Sequence, residues 1–225
     1  MSRADWEARF DRLVTAGPTP PGGKRALFAS GQQLLQLLGQ IAPSIMVDER
    51  RILDIGCGNG KLAAALAAAG VPVDYLGFDP IAPCIDTCRA LLADFPGFRF
   101  AHHDVANARY WSLGQLDAAQ ARFPVGDAWA EVAVAASVFT HLGPWEVAAH
   151  YLDECARVVR SGGHLITTWF MPPDWPPDAT DTHHSSYPRE RIVARMIAAF
   201  NIAGFRKLGV ADYDGQWVCL AVRRE

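Results

Sequence analysis

A glycine-rich turn is the first part of the sequence whose residue types could bind a ligand. The segment 51–55 predicts a short apolar strand, the turn 56–60 (G-C-G-N-G) follows it, and a helical pattern begins at Lys61. Glycines let the backbone take positive φ and come close to a ligand, and the helix N-terminus offers unpaired N–H groups to a negative group. Asp79 ends the next predicted strand, at about the 20-residue interval where an acidic residue binds ribose hydroxyls. These features predict a site for a ligand that contains a ribose.

The spacing and charge of this turn narrow the choice of ligand. Its pattern is G-x-G-x-G, whereas the G-x-G-x-x-G pattern accommodates the pyrophosphate of a dinucleotide. Asp54 lies inside the strand, two residues before the first glycine, where its charge would oppose a pyrophosphate and suit an ammonium group. S-adenosylmethionine (SAM) carries an ammonium, a carboxylate and a sulfonium but no phosphate. The absence of G-K-[ST] excludes a P-loop, and an oxidoreductase with a nicotinamide cofactor remains the rival interpretation.

The glycine turn resembles motif I of the class I SAM-dependent methyltransferases. Further segments of the chain resemble other motifs of the same family. The segment 75–79 (Y-L-G-F-D) resembles motif II, and 103–105 (H-D-V) resembles the acidic position that follows the third strand. The segment 137–142 (S-V-F-T-H-L) is similar to a bacterial subgroup linked to saccharide and secondary-metabolite modification, and 157–163 (R-V-V-R-S-G-G) resembles the turn before strand five. The resemblance extends over roughly residues 30 to 225.

The resemblance implies SAM as the cofactor, S-adenosyl-L-homocysteine as its product, and methyl transfer to an oxygen or nitrogen of a small molecule such as a saccharide or secondary metabolite. Asp79 would bind the ribose and Asp104 the adenine amino group, while Pro80 departs from the less rigid residue that is commoner there. The cofactor-binding residues expected in this sequence are Asp54, Gly56, Cys57, Gly58, Asn59, Gly60, Asp79, Pro80, Asp104, Val105 and Ser137. A non-catalytic subunit or sensor that binds SAM would keep the same residues and is a second alternative.

The acceptor side, meaning the residues that would bind the molecule to be methylated, carries no catalytic motif. None is required, because methyl transfer mainly needs an acceptor lone pair aligned with the methyl group. His141 is the candidate general base, which only a hydroxyl or protonated amine acceptor requires, and its alternative role is to orient the loop or pack on the cofactor. The acceptor residues expected are Tyr110, Trp111, His141, Trp145, Phe170, Trp175, His183 and Tyr187. Tyr110 and Trp111 either line the pocket or cover the sheet edge. Residues 171–188 form either a proline-stiffened lid over the acceptor or a surface loop.

The elements that must position these residues alternate between strand and helix from residue 51 onward. The sequence predicts strands at 51–55, 73–78, 98–102, 131–136 and 164–170, a helix at 189–203 closed by Gly204, and late strands at 205–210 and 216–222. This order is typical of a parallel sheet with helices on both faces, and a short turn between the last strands requires an antiparallel pair. We expect a doubly wound α/β fold with a seven-stranded, mostly parallel sheet and one antiparallel strand near the C-terminus. Residues 1–225 are expected to form one domain, in which 1–50 are an N-terminal helical cap.

Composition excludes several other classes of protein. The chain has 225 residues, 50% of them hydrophobic, and a net charge of −3, without the basic stripe of a nucleic-acid binder. It shows no apolar signal-peptide run and no stretch near the roughly 20 apolar residues of a membrane span, so a cytoplasmic protein is expected. The five cysteines have no C-x-x-C spacing and are expected to be buried thiols. Adjacent strand residues His102 and His103 point to opposite faces, so no metal site is expected.

Overall fold

The computed structural model of the chain describes residues 1–41, 43, 50–176, 178, 184–208 and 215–225. Six helices and seven strands are defined within these residues. The helices are α1 (Arg3–Leu13), α2 (Ala26–Ile41), α3 (Lys61–Ala69), α4 (Ala82–Leu91), α5 (Trp145–Val158) and α6 (Arg189–Met196). The strands are β1 (Arg50–Ile55), β2 (Val73–Asp79), β3 (Phe98–His102), β4 (Ala130–Ala135), β5 (Val159–Trp169), β6 (Phe200–Lys207) and β7 (Trp217–Arg223).

The strands confirm the fold class predicted from the sequence. They follow the order β3-β2-β1-β4-β5-β7-β6 in a seven-stranded sheet. The pairs β1–β2, β2–β3 and β4–β5 are parallel, and β7 runs antiparallel to both β5 and β6. Four of the six residues in β1 and five of the six in β4 are buried, as expected for strands that helices cover on both faces.

The chain divides into two compact units, Met1–His103 and Asp104–Glu225. The first unit holds the parallel strands β1, β2 and β3 with helices α1 to α4. Its helix α1 begins with a capping box, in which the Ser2 hydroxyl accepts from the Asp5 N–H and the Ser2 N–H donates to the Asp5 carboxylate. Trp6 of α1 stacks on Phe28 of α2 at a ring-centroid distance of 5.6 Å, which anchors the N-terminal helices by apolar burial.

The second unit contains one element that the sequence prediction assigned wrongly. The helix expected over residues 189–203 ends at Met196, and β6 begins at Phe200. Residues 200–207 pair with β7, so their backbone N–H and C=O groups find partners in the sheet instead of in a helix. Gly204, expected to close the helix, lies within β6 next to a shift in the strand register. Tertiary pairing has therefore overridden a helical pattern of side chains.

The turn expected at residues 161–163 is also different in the structure. β5 begins at Val159 and continues through these residues to Trp169. The pairing of β4 with β5 changes register between Ala130 and Val132, and Gly162 has a φ of 72°. The glycines thus make an irregularity inside the strand, as is common where a glycine interrupts a strand pattern.

The helices of the described residues were also compared with the length and hydropathy that a membrane span requires. None of these helices meets both requirements.

Candidate functional site

The glycine loop of the first unit adopts a backbone that only glycine takes easily. Gly56, Gly58 and Gly60 have φ values of 68°, 52° and 77°, all in the left-handed region that other residues adopt at a cost. The Cys57 N–H donates to the carbonyl of Phe78 in β2 over 3.0 Å. The loop therefore turns tightly at the end of β1 and leads directly into α3.

Asp79, the last residue of β2, holds this loop. Its Oδ2 accepts a hydrogen bond from the Gly58 N–H and its Oδ1 accepts one from the Ile81 N–H, both over 2.9 Å. Burial raises the pKa of Asp79, and these two backbone donors oppose that rise because they stabilise the charged form. The acidic residue predicted from its spacing thus contacts the glycine turn. Pro80 follows it, and its carbonyl lies 2.9 Å from the Nε2 atom of His102.

Asp54 is buried within β1 and takes part in a hydrogen bond that the sequence did not predict. The hydroxyl of Tyr75 donates to its Oδ2 over 2.5 Å. Burial raises the pKa of Asp54 to about 7, while the Tyr75 donor and the charge of Lys61 act in the opposite direction. A carboxyl with this pKa changes its charge near neutral pH.

The N-terminal segment contacts the glycine loop through Asn59, which is buried. Its Nδ2 donates to the carbonyl of Ala16 over 2.9 Å, and among the described residues its Oδ1 has no hydrogen-bond partner. A Cβ on Gly17 would overlap the thiol of Cys84, so this segment lies directly against α4. The glycine at position 17 was the available sequence signal of this close contact.

All five cysteines carry free, buried thiols, and one of them contacts the glycine loop. The Cys88 thiol donates to the Gly58 carbonyl over 3.2 Å. Burial raises the pKa of the neighbouring Cys57 thiol well above its ordinary value. The Cys57 thiol therefore acts as an uncharged packing group in the loop.

Asp104 begins the second unit and is followed by a long connection that folds back on it. Its Oδ1 accepts a hydrogen bond from the indole N–H of Trp111 over 2.6 Å. The backbone N–H of Leu116 donates to the Asp104 carbonyl, and Val105 forms an isolated parallel bridge with Leu116. Trp111, which was expected to line the acceptor pocket or to cover the sheet edge, is thus held against Asp104.

Ser137 follows β4 in a left-handed conformation with a φ of 59°. Its N–H donates to the hydroxyl of Thr168 over 2.7 Å, and its own hydroxyl exchanges hydrogen bonds with the buried amide of Gln216. Non-glycine residues with positive φ are costly and collect at functional sites. The hydrogen bonds explain how this conformation is stabilised.

A cavity of about 290 Å³ lies in the second unit, at the connection after Val105 and the loop after β4. It is lined by residues 106–109, 117–118, 141–144, 147 and 184–185. Of the residues expected on the acceptor side, His141 lines this cavity directly. Tyr110 contacts the His141 ring edge-on at a centroid distance of 5.5 Å.

Asn107 joins the two segments that form one wall of the cavity. Its Nδ2 donates to the carbonyl of His141 over 3.1 Å, and its Oδ1 accepts from the backbone N–H groups of Arg109 and Tyr110. The Arg109 Nη1 lies 3.5 Å from the His141 Nδ1. Sequence reasoning did not select Arg109 or Asn107 as site residues, because neither belongs to a motif.

Aromatic side chains connect the expected lid with the cavity. Trp175 packs on Phe170 at a centroid distance of 4.2 Å and on His184 at 4.9 Å, and the ring of His184 lies 5.7 Å from that of His141. Trp145 and Tyr187 pack against each other instead, at 5.4 Å. The expected acceptor residue His183 lies outside the described residues, as do positions 177 and 179–182 of the lid segment.

The histidine and cysteine side chains of the described ranges form no group of three metal-ligating residues that could hold an ion. His103 is buried, and its ring contacts Phe78 edge-on at 5.1 Å. His102 is exposed and faces the Pro80 carbonyl, so these adjacent histidines have different surroundings.

Comparison with known proteins identifies one family. Residues 53–167, just over half of the chain, match the family model described as a methyltransferase domain. The fatty-acid O-methyltransferase of Mycolicibacterium smegmatis is 32% identical over 146 residues, which are 63% of this chain and 46% of that protein. The chain spans less than half the length of the curated relatives it matches.

Solved structures share the fold at low sequence identity. A SAM-dependent methyltransferase from Methanosarcina mazei superposes with a TM-score of 0.62 and 18% identity, over 82% of this chain and 97% of that chain. The N-methyltransferase NodS from Bradyrhizobium japonicum, in complex with S-adenosyl-L-homocysteine, has a TM-score of 0.62 and 17% identity, over 98% of both chains. At these identities the likeness concerns the fold alone.

Proposed function

The chain belongs to the class I SAM-dependent methyltransferases, and from this premise we propose that it transfers the methyl group of SAM to an oxygen atom of a small-molecule acceptor. The cavity of the second unit carries this proposal. It is about 290 Å³ in volume and has polar side chains from Asn107, Arg109, His141 and His184 among short apolar ones. Small-molecule sites have this character, namely a mostly apolar concavity with a few polar groups that fix orientation.

The glycine loop fits the cofactor that the family uses. A Cβ built on Gly58 meets no described atom within 4 Å, so the backbone there is open to a ligand. The Oδ1 of Asn59 is a buried acceptor without a partner among the described residues. Asp79 uses one lone pair of each oxygen for a backbone N–H, which leaves a second lone pair on each for the ribose hydroxyls. When bound, SAM would supply a methyl group on a positively charged sulfur, which an acceptor lone pair can attack.

We assign the remaining cofactor contacts from the family pattern. Asp104 would bind the adenine amino group, with Val105 and Ser137 beside it, and residues 56–60 would approach the methionine portion of SAM. Asp54 accepts a hydrogen bond from Tyr75 of β2, and in its ionised form it would favour the ammonium group of the ligand.

The names of relatives support both oxygen and nitrogen as the methylated atom. The curated relative from Mycolicibacterium smegmatis is a fatty-acid O-methyltransferase, and the structural neighbour NodS is an N-methyltransferase. We favour oxygen because the relative with the higher sequence identity acts on oxygen. His141 lines the cavity and would be the general base if the oxygen belongs to a hydroxyl group.

The test begins with calorimetric titration of the purified chain with SAM, and with NAD as the control. Methyl transfer from radiolabelled SAM is then measured with octanol, octanoate and octylamine as acceptors of equal chain length. We expect binding of SAM without binding of NAD, and transfer to an oxygen acceptor. Binding of SAM without transfer to any acceptor would favour a non-catalytic SAM-binding subunit, and binding of NAD in its place would favour a nicotinamide enzyme.

A further inference from the structure

We propose that Tyr75 is a positioning residue of the cofactor site, whose hydroxyl keeps the Asp54 carboxylate in place and ionised for the ammonium group of SAM. This inference rests on the proposed function, because it concerns cofactor binding at the same glycine loop. Tyr75 was not selected from the sequence as a cofactor-binding residue, and its role follows from its contact with Asp54 in the first unit.

The register of the sheet brings the side chain of Tyr75 to Asp54. In the parallel pair of β1 and β2, Tyr75 lies opposite Ile52, and Asp54 lies opposite Gly77. Alternate residues of a strand point to the same face of a sheet, so Tyr75 and Gly77 share one face of β2. The tyrosine ring therefore reaches Asp54 diagonally across a position that has no side chain.

Gly77 provides the space that this arrangement requires. A Cβ on Gly77 would lie 2.9 Å from the Cβ of Cys57 and 3.0 Å from the Cε1 of Tyr75, closer than packed carbon atoms approach. On the side of β3, the Tyr75 ring packs on Phe98 and Phe100 at centroid distances of 5.3 and 5.7 Å. The ring is thus held in one place, with its hydroxyl on Asp54.

Burial makes this single hydrogen bond important for the charge of Asp54. Tyr75 is fully buried, and Asp54 is also shielded from solvent, so bulk water does not supply a substitute donor. The Tyr75 hydroxyl lies 2.5 Å from the Oδ2 of Asp54. A donor at this position stabilises the ionised carboxylate more than the neutral acid, and it does so more strongly in a low dielectric.

Other ionisable groups also act on Asp54, and their effects partly cancel. Burial raises the pKa of Asp54 to about 7, the Tyr75 donor opposes this rise most strongly, and Lys61 at the start of α3 also opposes it. Asp79 at the end of β2 raises the pKa further. The Cys57 thiol stays uncharged, because burial raises its own pKa. Tyr75 is therefore the main group that favours the ionised form of Asp54.

The charge of Asp54 then determines how tightly the ammonium group binds. A positive ligand binds the ionised carboxylate more tightly than the neutral acid. Below the pKa of Asp54 the ligand must displace a proton, so the affinity falls as the pH falls. Removal of the Tyr75 hydroxyl raises the pKa of Asp54, and the loss of affinity should move to higher pH.

The binding test uses the full chain and two probes, S-adenosyl-L-homocysteine and 5′-methylthioadenosine. Both contain adenosine and the sulfur atom, but only the first has the amino acid group. Calorimetric titrations run from pH 5.5 to 8.5. We expect Tyr75→Phe to bind S-adenosyl-L-homocysteine about fivefold to tenfold more weakly than the unmodified chain at pH 6.5, and within about twofold at pH 8.5. Methylthioadenosine should bind both chains equally at each pH.

This comparison removes two other titrations. Asp79 would bind the ribose, which both probes contain, and the amino group of the ligand is the same for both chains at one pH. Tyr151→Phe is the matched control, because it removes the hydroxyl of a buried tyrosine whose ring packs on Phe123 in the second unit. A loss in Tyr75→Phe that is equal at all pH values or equal for both probes, or no loss at all, would overturn the proposal.

A measurement without ligand keeps the proposal testable if Tyr75→Phe fails to fold. Carbon NMR of the chain labelled at its aspartate carboxyl groups follows Asp54, with Asp54→Asn to assign the signal. In the unmodified chain Asp54 should titrate near neutral pH, and the preference for S-adenosyl-L-homocysteine over methylthioadenosine should fall through the same pH range. Binding of both probes with a constant preference would refute the role of Tyr75 alone, whereas binding of neither at any pH would refute the proposed function itself.

Discussion

The hydroxyl of Tyr75 donates a hydrogen bond to the Oδ2 of Asp54 over 2.5 Å, between the parallel strands β1 and β2. Both side chains are buried, with exposures of 0% for Tyr75 and 4% for Asp54. A buried carboxylate is costly unless it is hydrogen-bonded, so one donor offsets only part of the cost of ionising Asp54. Burial accordingly raises the pKa of Asp54 to about 7.

This pKa predicts that the first unit becomes less stable as the pH rises from about 4 to 7. In that range the unfolded chain has lost the proton of Asp54, whose ordinary pKa is 3.8, while the folded chain retains it. The free energy of unfolding should therefore fall, by at most about 1.4 kcal/mol per pH unit. Urea unfolding of the unmodified chain and of Asp54→Asn, measured from pH 4.5 to 7.5, gives the contribution of Asp54 by difference.

A surface aspartate of the same strand pair provides the control. Asp74 forms a salt bridge with Arg99 over 2.5 Å, and its side chain is 38% exposed. Asp74→Asn is measured alongside as the control for the loss of one carboxyl group from the same strand pair. If Asp54→Asn and the unmodified chain have the same slope, Asp54 is ionised in the folded protein at all these pH values.

The second prediction concerns Asp79 and the affinity for SAM. Asp79→Asn keeps an oxygen that can accept from one backbone N–H but loses the charge and the second acceptor that hold Gly58 and Ile81. We expect SAM to bind at least about tenfold more weakly, since hydrogen bonds to a charged group contribute roughly 1.5–3 kcal/mol. Calorimetric titration measures this loss. Asp86→Asn, an exposed change on α4 beside Arg89, should leave the affinity unchanged, and an unaltered affinity in Asp79→Asn would remove Asp79 from the cofactor site.

The sequence predicted the strand–turn–helix order and the contact between the glycine turn and Asp79, because both depend on local patterns. Buried strands are apolar throughout, glycines mark positive φ, and Asp79 follows its strand at a recognisable interval. It could not predict that Asn59 bonds to the Ala16 carbonyl 43 residues earlier, since no periodicity encodes such a contact. Arg109 was not selected as a site residue for a similar reason, because irregular connections fix their side chains through individual hydrogen bonds.

Helix α6 shows the limit of periodicity in a regular element. The side chains after Met196 continue a helical pattern, yet Phe200 begins a strand that pairs with β7. β6 lies at the edge of the sheet, where a single neighbouring strand satisfies half of the backbone hydrogen-bonding groups. β7 is that neighbour. The sequence predicted this antiparallel partner at 216–222, but it placed the start of the preceding strand at residue 205 instead of 200, because the side chains before Gly204 fit a helix.

The third prediction concerns the close approach of α2 and α3. A Cβ on Gly31 would overlap the backbone carbonyl oxygen of Lys61, although alanine is intrinsically favoured over glycine in a helix by about 1 kcal/mol. We expect Gly31→Ala to lower the free energy of unfolding by about 1–3 kcal/mol, because the helices must move apart. Gln36→Ala, at an exposed position of the same helix, should not reduce stability. Thermal and urea unfolding of both variants tests this, and a stabilised Gly31→Ala would show that the helices can separate at no cost.

The fourth prediction concerns the ion pair of Glu154 and Arg157 in α5. Arg157 donates through Nε and Nη2 to both oxygens of Glu154, and the Phe123 N–H donates to the same carboxylate over 2.6 Å. The side chain of Glu154 is only 7% exposed. Arg157→Met should therefore cost about 3 kcal/mol or more, because it leaves a buried carboxylate without its cation.

Arg122 provides the matched comparison for this pair. Arg122 forms a salt bridge with the carboxylate of Asp127, but its side chain is 67% exposed. Arg122→Met should therefore lower the free energy of unfolding by less than about 1 kcal/mol. Although burial opposes ionisation of Glu154, the hydrogen bonds from Arg157 and Phe123 lower its pKa overall. Its contribution to stability is present above the ordinary pKa of 4.5 and is lost as the pH falls through the lowered value. Equal losses in the two arginine variants would show that burial does not strengthen the Glu154 pair.

The last prediction concerns Trp175 and the acceptor side of the proposed enzyme. Trp175 packs on Phe170 and on His184, and His184 lines the cavity next to His141. Since an aromatic pair contributes about 0.5–1.5 kcal/mol beyond area burial, Trp175→Ala should raise the acceptor KM by about threefold to tenfold and leave the Kd of SAM unchanged. Phe205→Ala, which removes a ring under the Arg189 guanidinium, is the control for general loss of aromatic packing. Equal changes in acceptor KM and SAM Kd for Trp175→Ala would indicate a structural role, because only a residue that shapes the acceptor cavity affects the two ligands separately.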